Sequence, residues 1–191
     1  MYLREARLAD VEPIANLHVR LWRECYSFMP KAVHDARGVG VRRKQWARAL
    51  TDDARRIEPA GCLVFGGEIC GFWQVKENHD TDIPAYVSHE LHSCYLLGQF
   101  RGTCAGPKCL QAMARAIVDR GGQSASVWVF RNNPIKHVYR SLGFRPHIER
   151  ERVIAGCALP ELGLIVDDVE KLEARMARYI SRFSSSLIES R

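Results

Sequence analysis

Residues 101–106, which read RGTCAG, have the composition of a loop that holds a phosphate group. They follow an apolar run, SCYLLGQF, and precede PKCLQAMARAIVDR, which has helical spacing. The start of a helix offers unpaired N–H groups and partial positive charge, and small residues let a pyrophosphate approach them. Arg101 can add a charge-assisted contact. The glycine spacing fits neither GxxxxGK[ST] nor GxGxxG, so the two common nucleotide loops are excluded.

The chain before this loop is expected to form antiparallel strands. YLREARL alternates as a strand does, and Asp10 can cap the helix that follows. A second helix is predicted over Val41–Leu50. Two apolar runs joined by Gly66-Gly67 predict a hairpin, and a long strand from about Tyr86 to Leu97 comes next without an intervening helix.

After the loop the pattern alternates between helix and strand. The helix that begins near 107 leads into SASVWVF, a short strand that is apolar enough to be buried on both faces. A strand–helix–strand crossover makes the strands over 86–97 and 124–130 parallel neighbours. Asn133 can cap a short helix that ends at Gly143, and two more strands follow, in FRPHIERERVIAGC and LPELGLIVD.

The tail from Asp167 to about Phe183 is predicted to be a helix. One stripe along it is apolar and consists of Val169, Leu172, Met176, Ile180 and Phe183. The stripe can pack on its own domain or form a contact in a homodimer. We therefore divide the chain into a domain over 1–166 and a C-terminal helical extension over 167–191.

The composition bounds the function. The 191 residues suit one domain, and seven cysteines without C-x-x-C spacing suggest neither a disulfide framework nor a zinc site, so no metal is expected. The charged N-terminus lacks a signal peptide's apolar segment, and no apolar run is long enough to span a membrane, so we expect a cytoplasmic protein. The basic segment 36–50 is a solvated face or attracts phosphates, an acidic substrate or nucleic acid; without an aromatic RNA motif, nucleic acid is not favoured.

Several stretches in order resemble the GNAT superfamily of acetyl-CoA-dependent N-acetyltransferases. They are CYLLGQFRGTCAG, VWVFRNNPIKHVYRSLGFRP, the opening REARLADVEPIANLHVRLWRECY and the hairpin stretch GEICGFWQV. The resemblance covers most of residues 1–166, and its specificity lies in the order and spacing of these stretches. It implies an α+β fold with a mixed, mostly antiparallel sheet that splays between two parallel strands and is flanked by helices. The C-terminal helix is an addition to that pattern.

The resemblance also implies where acetyl-CoA, the co-substrate, binds. Backbone groups near Leu96 and Leu97 would pair with the pantetheine arm and polarise the thioester carbonyl, on which negative charge develops. Asn132 aligns with an asparagine that contacts the same arm. The pyrophosphate would lie on the loop residues, which are Arg101, Gly102, Thr103, Cys104, Ala105 and Gly106.

Three residues are candidates for proton transfer. Tyr139 aligns with the family's tyrosine, which donates a proton to the departing thiolate. Glu90 and His92 lie two apart on one strand and share a face, so either can take the proton of the amine, directly or through water. His89 faces the other way.

Cys104 departs from the family pattern because it replaces the first glycine of the loop, and Pro107 has no N–H to offer. Three outcomes follow: ordinary acetyl-CoA binding, weak binding, or a non-catalytic acyl-CoA-binding or sensing module. The main hypothesis is direct acetyl transfer to an amine. The acceptor, a small molecule or a peptide, is not readable from the sequence.

Overall fold

A seven-stranded mixed sheet forms the centre of the computed structural model, which describes residues 1–189, with side chains through residue 183. The strand order is β1-β2-β3-β4-β5-β7-β6, and only β4 and β5 are parallel. This architecture confirms the predicted α+β fold with its one parallel pair. The strands are β1 (Tyr2–Glu5), β2 (Ala60–Phe65), β3 (Glu68–Glu77), β4 (His89–Leu96), β5 (Ala125–Phe130), β6 (Arg145–Ile154) and β7 (Cys157–Val166).

Helices cover both faces of the sheet. The helices are α1 (Val11–Cys25), α2 (Lys31–Asp35), α3 (Val39–Ala49), α4 (Asp52–Ile57), α5 (Ala105–Val118), α6 (Ile135–Ser141) and α7 (Val169–Glu189). On one face, α1 and α3 close a cluster around Phe72 and Trp46. On the other, α5 and α7 close a larger cluster around Met113 and Leu164. The predicted hairpin turn lies between β2 and β3, where Gly66 and Gly67 both have positive φ.

Two local predictions need correction. Asp10 precedes α1, but its side chain does not cap that helix; its carboxylate binds the guanidinium of Arg4 at 2.6 and 2.8 Å and accepts the N–H of Arg7. A bidentate ion pair outcompetes a single backbone N–H. The strand predicted from Tyr86 starts three residues later, because Tyr86 lies in a loop where its hydroxyl donates to Asp167.

The tail helix packs against its own domain. Val169, Leu172 and Met176 are almost completely buried and belong to the same cluster as α5. This packing matches the first half of the apolar stripe that the sequence predicts.

Candidate active site

The sheet opens between β4 and β5, and this opening is the first element of the site. The two strands pair only at His89–Ala125 and Glu90–Ser126, after which they diverge. In β4 the register against β3 shifts so that Ser93 faces Gln74 and Leu91 faces Val75, which makes His92 the extra residue of a β-bulge. A bulge bends and twists its strand, so it accounts for the divergence that begins beside it.

Backbone groups of β4 face this gap. Leu97 N–H donates to Cys70 C=O at 2.9 Å, and Phe100 N–H donates to Leu97 C=O, so both backbone groups of Leu97 have partners. Hydrogen-bonding residues alternate along an antiparallel pair, so the N–H and C=O groups of Cys94 and Leu96 point away from β3, towards β5. Of the predicted pair Leu96 and Leu97, only Leu96 therefore offers an N–H to the gap, and Cys94 offers another that the sequence analysis missed.

The loop RGTCAG leads from the end of β4 into α5. Cys104 is the residue before α5 and has φ −67°, an ordinary right-handed conformation, so its side chain causes no backbone strain. The loop's one positive φ, +74°, is at Gly102. Among the described residues, no protein acceptor takes the N–H groups of Gly102, Thr103, Cys104 and Gly106. Four unpaired donors at the start of a helix form a site for an anion.

Two predicted loop contacts are already engaged. The Thr103 hydroxyl donates to Phe100 C=O and accepts the N–H of Ala105 at 3.1 Å, so Ala105 has no N–H to spare. The Arg101 guanidinium donates to Leu96 C=O at 3.0 Å and lies 3.3 Å from a Glu24 carboxylate oxygen. Arg101 thus links the loop to β4 and α1 in this structure.

Tyr139 lies on α6 within the buried cluster, edge-on to Phe144. Burial, together with the nearby Cys94 and Tyr26, raises the pKa of the Tyr139 phenol. The phenol therefore stays protonated at neutral pH, as a proton donor must. Because Cys94 is on the strand that borders the gap, Tyr139 lies near the gap as well.

The two asparagines before α6 differ. Asn132 is exposed. Pro134 is the residue before α6, so Asn133, the predicted cap, lies one position ahead of the cap position, although its Oδ1 accepts the N–H of Ile135 at 3.0 Å. Its amide donates to the Tyr26 hydroxyl.

Glu90 and His92 lie together on the α1 and α3 side of the sheet. His92 Nδ1 is 2.9 Å from Glu90 Oε1, and their side chains are 39% and 19% exposed. Burial acts to raise the pKa of Glu90, but the hydrogen bond and charge of His92, with Lys76 and Arg152, lower it overall. An ionised carboxylate only accepts, so Nδ1 donates to Glu90, and in the neutral form of His92 the nitrogen without a hydrogen is Nε2.

A cavity of about 300 Å³ adjoins this pair. His92 and Ser93 line it from the bulge, Gln74 from β3, and His18 and Arg42 from α1 and α3. Trp46 Nε1–H donates to His18 Nδ1 at 3.1 Å, while burial lowers the pKa of His18, so this imidazole is neutral and carries its proton on Nε2.

Sequence reasoning missed most of this cavity wall. Two signals could have been read from the sequence. One is Gln74 in the apolar run GFWQV, and the other is His18, which lies four residues after Ile14 on the buried face of α1. Nothing in the sequence distinguishes Arg42 from the basic residues around it. One of these, Arg43, is a surface residue that pairs with Glu12.

The comparisons with known proteins agree with this geometry. The model of the FR47-like protein family matches residues 81–153. The uncharacterized N-acetyltransferase YuaI of Bacillus subtilis (strain 168) is 28% identical over 177 residues, which cover 92% of this chain and 98% of the relative.

Solved structures share the fold at low sequence identity. PaiA N-acetyltransferase from Thermoplasma acidophilum, in complex with coenzyme A, has a TM-score of 0.65 at 15% identity and covers 84% of this chain and 96% of its own. Ribosomal-protein-alanine N-acetyltransferase from Brucella melitensis has a TM-score of 0.63 at 16% identity, with coverage of 87% and 99%. YncA from Salmonella typhimurium, with its cofactor acetyl-CoA, has a TM-score of 0.61 at 16% identity, with coverage of 87% and 93%. The fold is that of the GNAT acetyltransferases, and the resemblance found in the sequence is confirmed.

Within the part of the chain that the structure describes, no helix has the length and apolar character needed to cross a membrane.

Proposed function

We propose that this chain is an acetyl-CoA-dependent N-acetyltransferase that transfers the acetyl group directly to the amine of an acceptor. The observation that carries the proposal is the opening of the sheet after Glu90. It brings together the backbone N–H groups of Cys94 and Leu96, the loop with four unpaired N–H groups, and the cavity that His92 lines. The names of the relatives support the same reaction.

Residues of the gap and the loop fit acetyl-CoA, which supplies an acetyl group activated as a thioester. The N–H groups of Gly102, Thr103, Cys104 and Gly106 would hold the pyrophosphate, and the fixed positive end of α5 adds to their effect. The N–H groups of Cys94 and Leu96, with the C=O of Cys94, would hold the pantetheine arm, because Leu96 C=O already accepts from Arg101. One of their N–H groups would stabilise the negative charge that develops on the thioester oxygen. Asn132 and Arg101 remain candidates for further contacts.

His92 is the proposed base, and Glu90 is a positioning residue. Glu90 fixes the imidazole so that Nε2 takes the proton from the attacking amine, the same logic by which a third group orients a catalytic base. As the carbon–nitrogen bond forms and the carbon–sulfur bond breaks, the Tyr139 phenol donates its proton to the leaving thiolate.

The unfolding temperature of the purified chain tests this proposal. Acetyl-CoA should raise it in a saturable way, because a ligand that binds only the native state stabilises that state. No rise at millimolar acetyl-CoA would contradict the proposal.

A further inference from the structure

Arg42 is a buried cation that has no carboxylate partner within the described side chains. The residue is 5% exposed and lines the cavity beside His92. Its Nη1 donates to Gln45 Oε1 at 2.9 Å, but its Nε and Nη2 are buried and have no hydrogen-bond partner among the described residues. Burial lowers the pKa of Arg42 to about 10, so the side chain is still a cation near neutral pH. Leaving charged donors unpaired is costly, and native sites with this feature call for an explanation.

A second arginine increases the local positive charge. Arg37 and Arg42 both lie over the ring of Trp22, at 5.5 and 5.0 Å from its centroid. Within the described side chains, no carboxylate lies within 4.0 Å of either guanidinium or of Arg48, the other arginine of the cavity wall. Two like charges on one indole ring are unfavourable without an anion nearby.

Two residues of the sheet that line the same cavity also carry unsatisfied polar atoms. Gln74 and Ser93 face each other across β3 and β4, and both are nearly buried. In the part of the chain that the structure describes, Gln74 Nε2 and Ser93 Oγ have no hydrogen-bond partner. Together with Arg42 they give the cavity wall three residues with unpaired donors, from three elements, and those donor atoms lie just beneath its surface.

We propose that the acceptor carries a carboxylate as well as its amine, and that Arg42, with Gln74 and Ser93, binds this carboxylate. The inference deepens the proposed function and rests on it. The amine of the same molecule faces His92, since both His92 and Arg42 line the cavity. A planar guanidinium can donate two parallel hydrogen bonds to a carboxylate. The Ser93 hydroxyl and the Gln74 amide can donate further hydrogen bonds to the same carboxylate oxygens. A cavity of about 300 Å³ suits an acceptor of amino-acid size.

The test measures coenzyme A release by the full chain with α-, β- and γ-amino acids, each compared with the amine of the same skeleton that lacks the carboxylate. For the best amino acid, kcat/KM should exceed that of its matched amine by at least about 10-fold, as expected for a charged hydrogen-bonded pair. Arg42→Gln should lower kcat/KM for the amino acid by at least about 10-fold and so remove this preference. Arg43→Gln is the matched control, because Arg43 is a surface residue, and it should keep the preference.

The outcomes separate the two proposals. Turnover of uncharged amines as fast as of their amino acids would overturn the carboxylate site and leave the acetyltransferase standing. If coenzyme A is released with none of the amines, the acetyltransferase proposal is wrong. The unfolding temperature of the chain then tests the carboxylate site on its own. Amino acids should raise it in the wild type but not in Arg42→Gln; the absence of any such rise would overturn the site. If Arg42→Gln does not fold, Ser93→Ala replaces it and should weaken the preference.

Discussion

At the scale of single residues, the proposed chemistry depends on one proton acceptor and one proton donor. His92 is on the bulge of β4 and Tyr139 is on α6. Each role can be tested with a substitution that removes the group that transfers the proton and keeps a side chain of similar size.

Tyr139→Phe removes the phenol and retains the ring that packs against Phe144. We expect kcat to fall by about 100-fold, in the lower range for loss of a general acid. The dissociation constant of acetyl-CoA should hardly change. Steady-state kinetics and calorimetric titration measure the two quantities, and an unchanged kcat would rule out the acid role.

His92→Gln should lower kcat/KM by about 100-fold, because no side chain then accepts the proton of the amine. Glu90→Gln should cause a smaller loss of about 10-fold, since glutamine can donate to Nδ1 and favour the wrong tautomer. Glu90→Asp should restore part of the activity. If Glu90→Gln is instead the more damaging change, the carboxylate is the base and the histidine assists it.

At the scale of elements, the junction of β4, the loop and α5 decides whether acetyl-CoA binds well. Sequence alone located this loop and raised the question of Cys104, but it could not give the backbone angle. In the structure, Cys104 has φ −67°, which is a conformation that any residue can adopt. The glycine that the loop needs is Gly102, at φ +74°.

Cys104→Ala should therefore leave the dissociation constant of acetyl-CoA unchanged. Gly102→Ala should destabilise the fold by about 1 kcal/mol through strain and weaken acetyl-CoA binding. Calorimetric titration of both variants distinguishes the two positions. Marked tightening of binding in Cys104→Gly would mean that the thiol crowds the loop after all.

Other features of these elements were beyond the sequence. The pattern gave the order of strands and helices and the one parallel pair, because apolar periodicity and short crossovers report them directly. It gave no sign of the bulge at His92, since a one-residue register shift depends on how β3 and β4 pair. Asp10 looked like a helix cap because its competing partner, Arg4, lies on a neighbouring strand.

At the scale of the whole molecule, the tail helix takes part in the core. Met176 is 1% exposed in the cluster that also holds α5, whereas Tyr179, one turn away, is 44% exposed. We propose that residues 1–189 therefore unfold as one unit.

Met176→Ala should lower the free energy of unfolding by about 2–5 kcal/mol, as for large cavities in a core. Tyr179→Ala is the control and should have little effect. Chemical denaturation measures both values. If Met176→Ala costs no more than the control, the tail helix does not contribute to the stability of the core.

The account as a whole predicts one reaction, and its products can be measured directly. The full chain is incubated with acetyl-CoA and a panel of amines and amino acids, and mass spectrometry follows the acetylated product while a thiol assay follows coenzyme A. We predict one acetylated amine for each coenzyme A released, and no acetyl group on the protein when the amine is left out. Saturable binding of acetyl-CoA without coenzyme A release from any amine would contradict the account and identify the chain as a non-catalytic binding module.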